Sequence, residues 1–135
     1  MNHRAHRDHR GGGEQAAVSG VIVDAGLKVH EALGPGLLES AYEECLAHEL
    51  TARGVPVRRQ VPMPVMYHGM RLDAGYRLDL VVAQAVIVEI KAVEALNRLH
   101  QAQLMTYLKL SGIRVGLLLN FNTVLFKDGI KRITL

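Results

Sequence analysis

Two apolar segments, YRLDLVV (Tyr76–Val82) and AVIVEIKAV (Ala85–Val93), stand only two or three residues apart. Both are rich in β-branched residues, which favour strands, and a gap that short closes only as a hairpin. Beyond Arg77 at the start of the first, three charges interrupt them: Asp79, Glu89 and Lys91. The residues flanking Glu89 and Lys91 are Ile or Val on both faces, the pattern of a strand covered on each side. Charges placed there cost several kcal/mol unless they are paired or bound to a metal.

The rest of the chain supplies elements to cover such a hairpin. From Gln15 to Leu33, Val18, Val21, Ile22, Ala25, Val29 and Leu33 recur at helical spacing, and Gly34-Pro35 ends the run. A second helix is expected from Leu37 to Arg53, with Leu38, Ala41, Cys45 and Leu50 inward and Gly54 as its stop. Val57 to Tyr67, broken by Pro62 and Pro64, reads as one irregular edge strand followed by a His68-Gly69 turn. Ala95 to Ser111 forms a third helix closed by Gly112, and Ile113 to Leu119 a further strand. Asp128-Gly129 predicts a closing hairpin between Thr123–Phe126 and Ile130–Leu135. The order ααβββαβββ implies an α/β fold, a mixed β-sheet flanked by helices, as one domain over residues 14–135.

Composition agrees with one core. The chain has 135 residues, 49% of them hydrophobic, and its mean hydropathy of +0.11 excludes a disordered chain. No apolar run nears the roughly 18 residues of a membrane span. The first ten residues lack the apolar stretch of a secretory signal, and the single Cys45 allows no internal disulfide, so the expected location is cytoplasmic. Residues 1–13, MNHRAHRDHRGGG, read as a flexible tail rather than a metal site at His3, His6 and His9. That tail holds two of the three net positive charges, leaving 13 basic against 12 acidic residues in the domain. Any contact with a polyanion must therefore come from local placement of charge, with Arg58, Arg59, Arg71, Arg77, Arg98 and Lys109 as candidates.

The hairpin register decides what the three buried charges can do. A three-residue loop, Ala83 to Ala85, sets Asp79 directly opposite Glu89, whereas a two-residue loop sends the two carboxylates to opposite faces. Carboxylates across a ladder, with Cβ atoms roughly 5 Å apart, repel unless something positive lies between them. Mg²⁺ (or Mn²⁺) suits that place, since a hard cation takes oxygen ligands at about 2.1 Å and keeps several waters; Asp79, Glu89 and the Ile90 carbonyl make a half-shell. Lys91 shares the face of Glu89 and is placed to orient a water and neutralise phosphate charge. Glu39 on the second helix is a candidate third metal ligand, or a first-turn glutamate favoured by the helix dipole. Gln103 and Tyr107, four apart on the third helix, are candidates to bind phosphate or a metal-bound water, or are simply boundary residues. A plain ion pair between Glu89 and Lys91 is the alternative to the whole scheme, and His30 and His100 read as ordinary surface or boundary histidines.

Asp79 followed ten residues later by Glu89-Ile90-Lys91 resembles the D…(D/E)xK signature of the PD-(D/E)xK nuclease superfamily, and GLLESAY (Gly36–Tyr42) resembles the motif of its bacterial GxxExxY family. The likeness runs from Ala17 to Leu135 through LGPGLLES, YRLDLVV, VEIKAVE, AQLMTYLKLSG and GLLLNFN. It implies that Asp79 and Glu89 ligate the metal, that Lys91 acts on the attacking water, that Glu39 is an additional helix-borne acid and that Gln103 and Tyr107 form a QxxxY element. The expected function is a divalent-metal-dependent nuclease acting on DNA or RNA. The alternative is a catalytically silent module of the same fold that binds nucleic acid or assembles as a homo-oligomer. Nothing supports a nucleotide or redox enzyme: GxGxxG, GxxxxGK[ST] and CxxC are all missing.

Overall fold

The computed structural model describes residues 3–135, with side chains from Gly13 onward; Met1 and Asn2 of the tail expected over residues 1–13 lie outside the described residues, and the backbone of residues 3–13 belongs to the helix that runs on to Leu33. The elements are α1 (His3–Leu33), α2 (Glu39–Ala52), β1 (Val57–Pro62), β2 (Val65–Tyr67), β3 (Met70–Leu72), β4 (Arg77–Val82), β5 (Val86–Lys91), α3 (Arg98–Ser111), β6 (Val115–Asn120), a 3₁₀ turn (Phe126–Gly129) and β7 (Ile130–Thr134). Five strands form one sheet in the order β1-β4-β5-β6-β7, while β2 and β3 pair separately. Only β5 and β6 run parallel, and α3 makes the crossover between them. The expected α/β fold with a mixed sheet between helices is the one observed.

Each face of the sheet has its own apolar layer. Ile22, Ala25 and Val29 of α1 and Tyr42, Leu46 and Leu50 of α2 pack on Leu80, Val82, Val88 and Ile90. On the other face Leu104, Tyr107 and Leu108 of α3 meet Val81, Ile87 and Leu118. All of Val86–Ile90 and Val115–Asn120 are buried, which is why these strands read as near-continuous apolar runs. Tyr42 stacks on Phe121 with ring centroids 4.5 Å apart. Its hydroxyl donates to the Gly34 carbonyl at 2.6 Å and accepts from the Leu37 N–H at 3.0 Å, tying the α1–α2 turn to the core.

Several expectations are corrected. The segment 57–67 is two strands, with the Met63 N–H donating to the Tyr76 carbonyl where they divide. The His68-Gly69 turn then joins β2 to β3, a strand missing from the expected order. The closing hairpin does not form: Phe126–Gly129 is a 3₁₀ turn, and β7 pairs antiparallel with β6. Packing contacts override the Asp-Gly signal. Phe126 is buried against Phe121 and His30, and a Cβ at Gly129 would meet the Asn120 carbonyl oxygen. His30 is accordingly buried rather than on the surface, with Nε2 2.7 Å from the Thr123 carbonyl oxygen. The inward stripe of α2 is Tyr42, Glu43, Leu46, Ala47 and Leu50, while Leu38 is 77% exposed. α3 starts three residues later than expected, because Asn97 caps it: its side chain accepts from the His100 N–H, and the His100 ring accepts from the Asn97 N–H.

Candidate active site

Leu80 pairs with Val88 and Val82 with Val86, leaving Ala83 to Ala85 as the turn. This is the three-residue loop, and it carries the register to Asp79 opposite Glu89. Ala83 and Gln84 both have positive φ, 51° and 55°, and the Ala85 N–H closes the turn on the Val82 carbonyl. Neither residue is a glycine, so the turn is held from outside: the Ala83 N–H donates to the Pro56 carbonyl before β1.

At the other end of the ladder, backbone pairing gives way to side chains. The Asp79 N–H donates to Glu89 Oε2 at 2.8 Å, and the Ile90 N–H donates to Asp79 Oδ2 at 2.8 Å. Each carboxylate thus occupies a backbone donor of the opposing strand. Burial comes first among the causes that push the Glu89 carboxyl up to about 8, followed by the neighbouring Asp79 charge. Asp79 is raised as well, mainly by burial, although the Ile90 N–H, Lys91 and Gln60 pull it back. Lys91, half-buried at the end of β5, stabilises the charged form of both acids.

A buried acid and a half-buried one, side by side, match the donor set of a hard cation. A family model described as the PD-(D/E)XK nuclease superfamily matches residues 16–133. The chain belongs to this superfamily. No curated protein and no solved structure matches it. Members of the nuclease superfamily generally use divalent metals. Among the described residues no group of three or more His, Cys, Asp and Glu is gathered as a complete cage. A pair of carboxylates that leaves room for water and phosphate is the usual mode for Mg²⁺.

The other candidates divide between two sides. Glu39 and Asp79 line one polar cavity of about 440 Å³, together with Ser40, Glu43, Gln60 and Ile90. Glu39 Oε2 accepts from the Ala92 N–H at 3.1 Å, just beyond Lys91. Gln103 and Tyr107 line a second cavity against α3. Tyr107 is buried in one cluster with Leu78 and Ile87, and its phenol is raised, first by desolvation and then by the charges of Glu89 and Asp79.

Sequence reasoning missed the group that braces Asp79. Glu43 is only 6% exposed and accepts from Arg59 Nε and Nη2 at 3.2 and 3.1 Å and from the Gln60 amide at 2.6 Å. The same Gln60 nitrogen lies 3.5 Å from Asp79 Oδ1. Gln60 has φ of 50°, and pairing between β1 and β4 skips Gln60 and Asp79. Face alternation breaks at the same point: Leu80 packs under α1 and α2, yet Leu78, two residues away, packs on the α3 side. The available signal was Glu43 four residues after Glu39, an acid inside an inward stripe. Arg59, expected to bind phosphate, is committed to Glu43, Arg71 pairs with Asp73, and Arg77 donates to the Gln60 carbonyl.

Proposed function

We propose that this chain is a divalent-metal-dependent nuclease of the GxxExxY kind, hydrolysing nucleic-acid phosphodiesters at the open end of the β4–β5 ladder. The observation that carries the reading is the reciprocal clasp of Asp79 and Glu89 on each other's strands, with Lys91 beside them. Asp79, Glu89 and the Ile90 carbonyl would hold the cation, Mg²⁺ or Mn²⁺. When bound, it supplies positive charge for the phosphoryl oxygens and the leaving group. Lys91 orients the water whose oxygen bonds to phosphorus as the ester P–O bond breaks, and it offsets the charge that builds on the phosphate. The Gln103 amide faces the phosphate, and the Tyr107 phenol, kept protonated by its raised pKa, serves as a donor.

Glu39 enters in one of two ways that a single variant separates. Glu39→Gln keeps an oxygen for the Ala92 N–H but removes the charge. A fall in Mn²⁺ affinity assigns Glu39 to the metal, and unchanged affinity assigns it to holding the strand end that carries Lys91. The function itself is tested by incubating labelled DNA and RNA with the full chain and Mg²⁺ or Mn²⁺, with chelator and Lys91→Ala as controls. Metal-dependent cleavage lost in the variant supports the reading. A folded protein that cleaves nothing would return the chain to the class of binding modules.

A further inference from the structure

The cavity on the α3 side has about 450 Å³ and is lined by Val65, Tyr76, Leu99, Gln103, Tyr107 and Leu110, with His100 and Thr106 completing its wall. That volume is within the range of pockets that hold small ligands, about 300–1,000 Å³. Its wall carries no Lys, Arg, Asp or Glu, so it is unsuited to phosphate and suited to something flat and weakly polar. The apolar surface continues beyond it. Val65 pairs with Leu72 and Tyr67 with Met70, so these four share one face of the β2–β3 hairpin. Tyr67 is 62% exposed, Met70 56% and Leu72 47%, and across the cavity Tyr76 and Leu99 are exposed as well. α3, which supplies most of the wall, also carries two exposed cations, Arg98 and Lys109, next in the chain to Leu99 and Leu110.

Resting on the nuclease reading, we infer that this cavity and the hairpin face take the unpaired bases of the substrate, so that the chain acts on single-stranded or locally opened nucleic acid. An uncharged, partly aromatic wall on a helix that also carries exposed cations suits single strands, because every base has a face to stack and the backbone can follow the cations. A paired duplex keeps its base faces covered and offers this surface nothing to stack. Continuity with the carboxylates fixes the direction. Tyr107 lies in the cavity wall and packs in one cluster with Leu78 and Ile87, which stand one and two residues from Asp79 and Glu89 on β4 and β5, so a base seated here sets its own phosphate toward the pair. The polar groups of His100 and Thr106 give the base edge hydrogen-bonding partners, while Gln103 serves the phosphate end.

The test compares one labelled oligonucleotide, single-stranded and annealed to its complement, with the full chain and Mn²⁺. We expect the single strand to be cut at least about tenfold faster, and Leu99→Asp or Thr106→Trp, both at exposed positions, to reduce that rate by about tenfold while leaving circular dichroism unchanged. Replacing single nucleotides with abasic linkers is expected to suppress cleavage at the adjoining phosphate. Equal cleavage of duplex and single strand, with both variants fully active, overturns the inference and leaves the nuclease reading standing. If neither form is cut, the nuclease reading fails, and fluorescence anisotropy of the same oligonucleotides in Ca²⁺ decides the inference separately. Single-strand binding weakened by both variants upholds it, and binding that ignores strandedness or the variants ends it.

Discussion

The two ends of the β4–β5 ladder are built from the same kind of sequence and do opposite things. At the turn end Val81, Val82, Val86 and Ile87 pair in regular register and bury their side chains on both faces of the sheet. At the open end Asp79 and Glu89 replace backbone acceptors with carboxylates, and both acids are strained electrostatically by burial. The regular end makes the open end possible. Acids held this close must be kept in place by surroundings that cannot relax, and the packed valines together with the Glu43–Gln60 brace provide them.

That contrast breaks if activity and stability fail to separate between the ends. The largest effect is expected at the open end: Asp79→Ala or Lys91→Ala should lower the metal-dependent cleavage rate by about 10²–10³-fold. The urea midpoint should stay near that of the unaltered chain, and a parallel loss of fold would make the two acids structural. At the regular end Ile87→Ala should destabilise the chain by about 2–5 kcal/mol in urea denaturation, because it opens a cavity in a two-sided core.

The pH dependence sharpens the same comparison. In the folded chain the Glu89 carboxyl holds its proton up to about 8, against a reference value of 4.5. Between those values the folded state binds more protons than the unfolded one, so the Glu89 contribution is fullest below the lower value and is lost as pH rises through the upper one. Denaturation midpoints on either side of this window should therefore differ in the unaltered chain, and the difference should shrink in Glu89→Gln. Mn²⁺ needs both carboxylates ionised, so the rise it causes in melting temperature should grow with pH across this window and be missing in Asp79→Ala. A flat profile would mean that the acids are not buried as a pair. The smallest effect belongs to the turn: Gln84→Gly should stabilise by up to about 1 kcal/mol, because Gln84 sits at φ of 55°.

Much of the architecture was legible. α1, β4, β5 and α3 follow from periodicity and β-branched composition, and Gly112 closes α3 in the left-handed conformation that such a stop requires. The errors have one cause. Asp128-Gly129 signals a turn locally, but Phe126 finds a better place against Phe121 than in a strand. Leu38 looks like a core residue by spacing, yet α2 turns Glu43 inward because Arg59 and Gln60 of a distant strand meet it there.

For the site, the amino-acid order alone determined which chemistry is present: two acids and an amine set into apolar strands, where desolvation makes unpaired charge intolerable. It left open whether the acids meet, because two-residue and three-residue loops were equally compatible with the residues at 83–85. Tertiary structure decided that point through the Ala83 contact with Pro56, and it turned Asp79 toward α2 by breaking the alternation opposite Gln60. Side-chain identity is local, whereas register and facing depend on partners that are close only after the chain has folded.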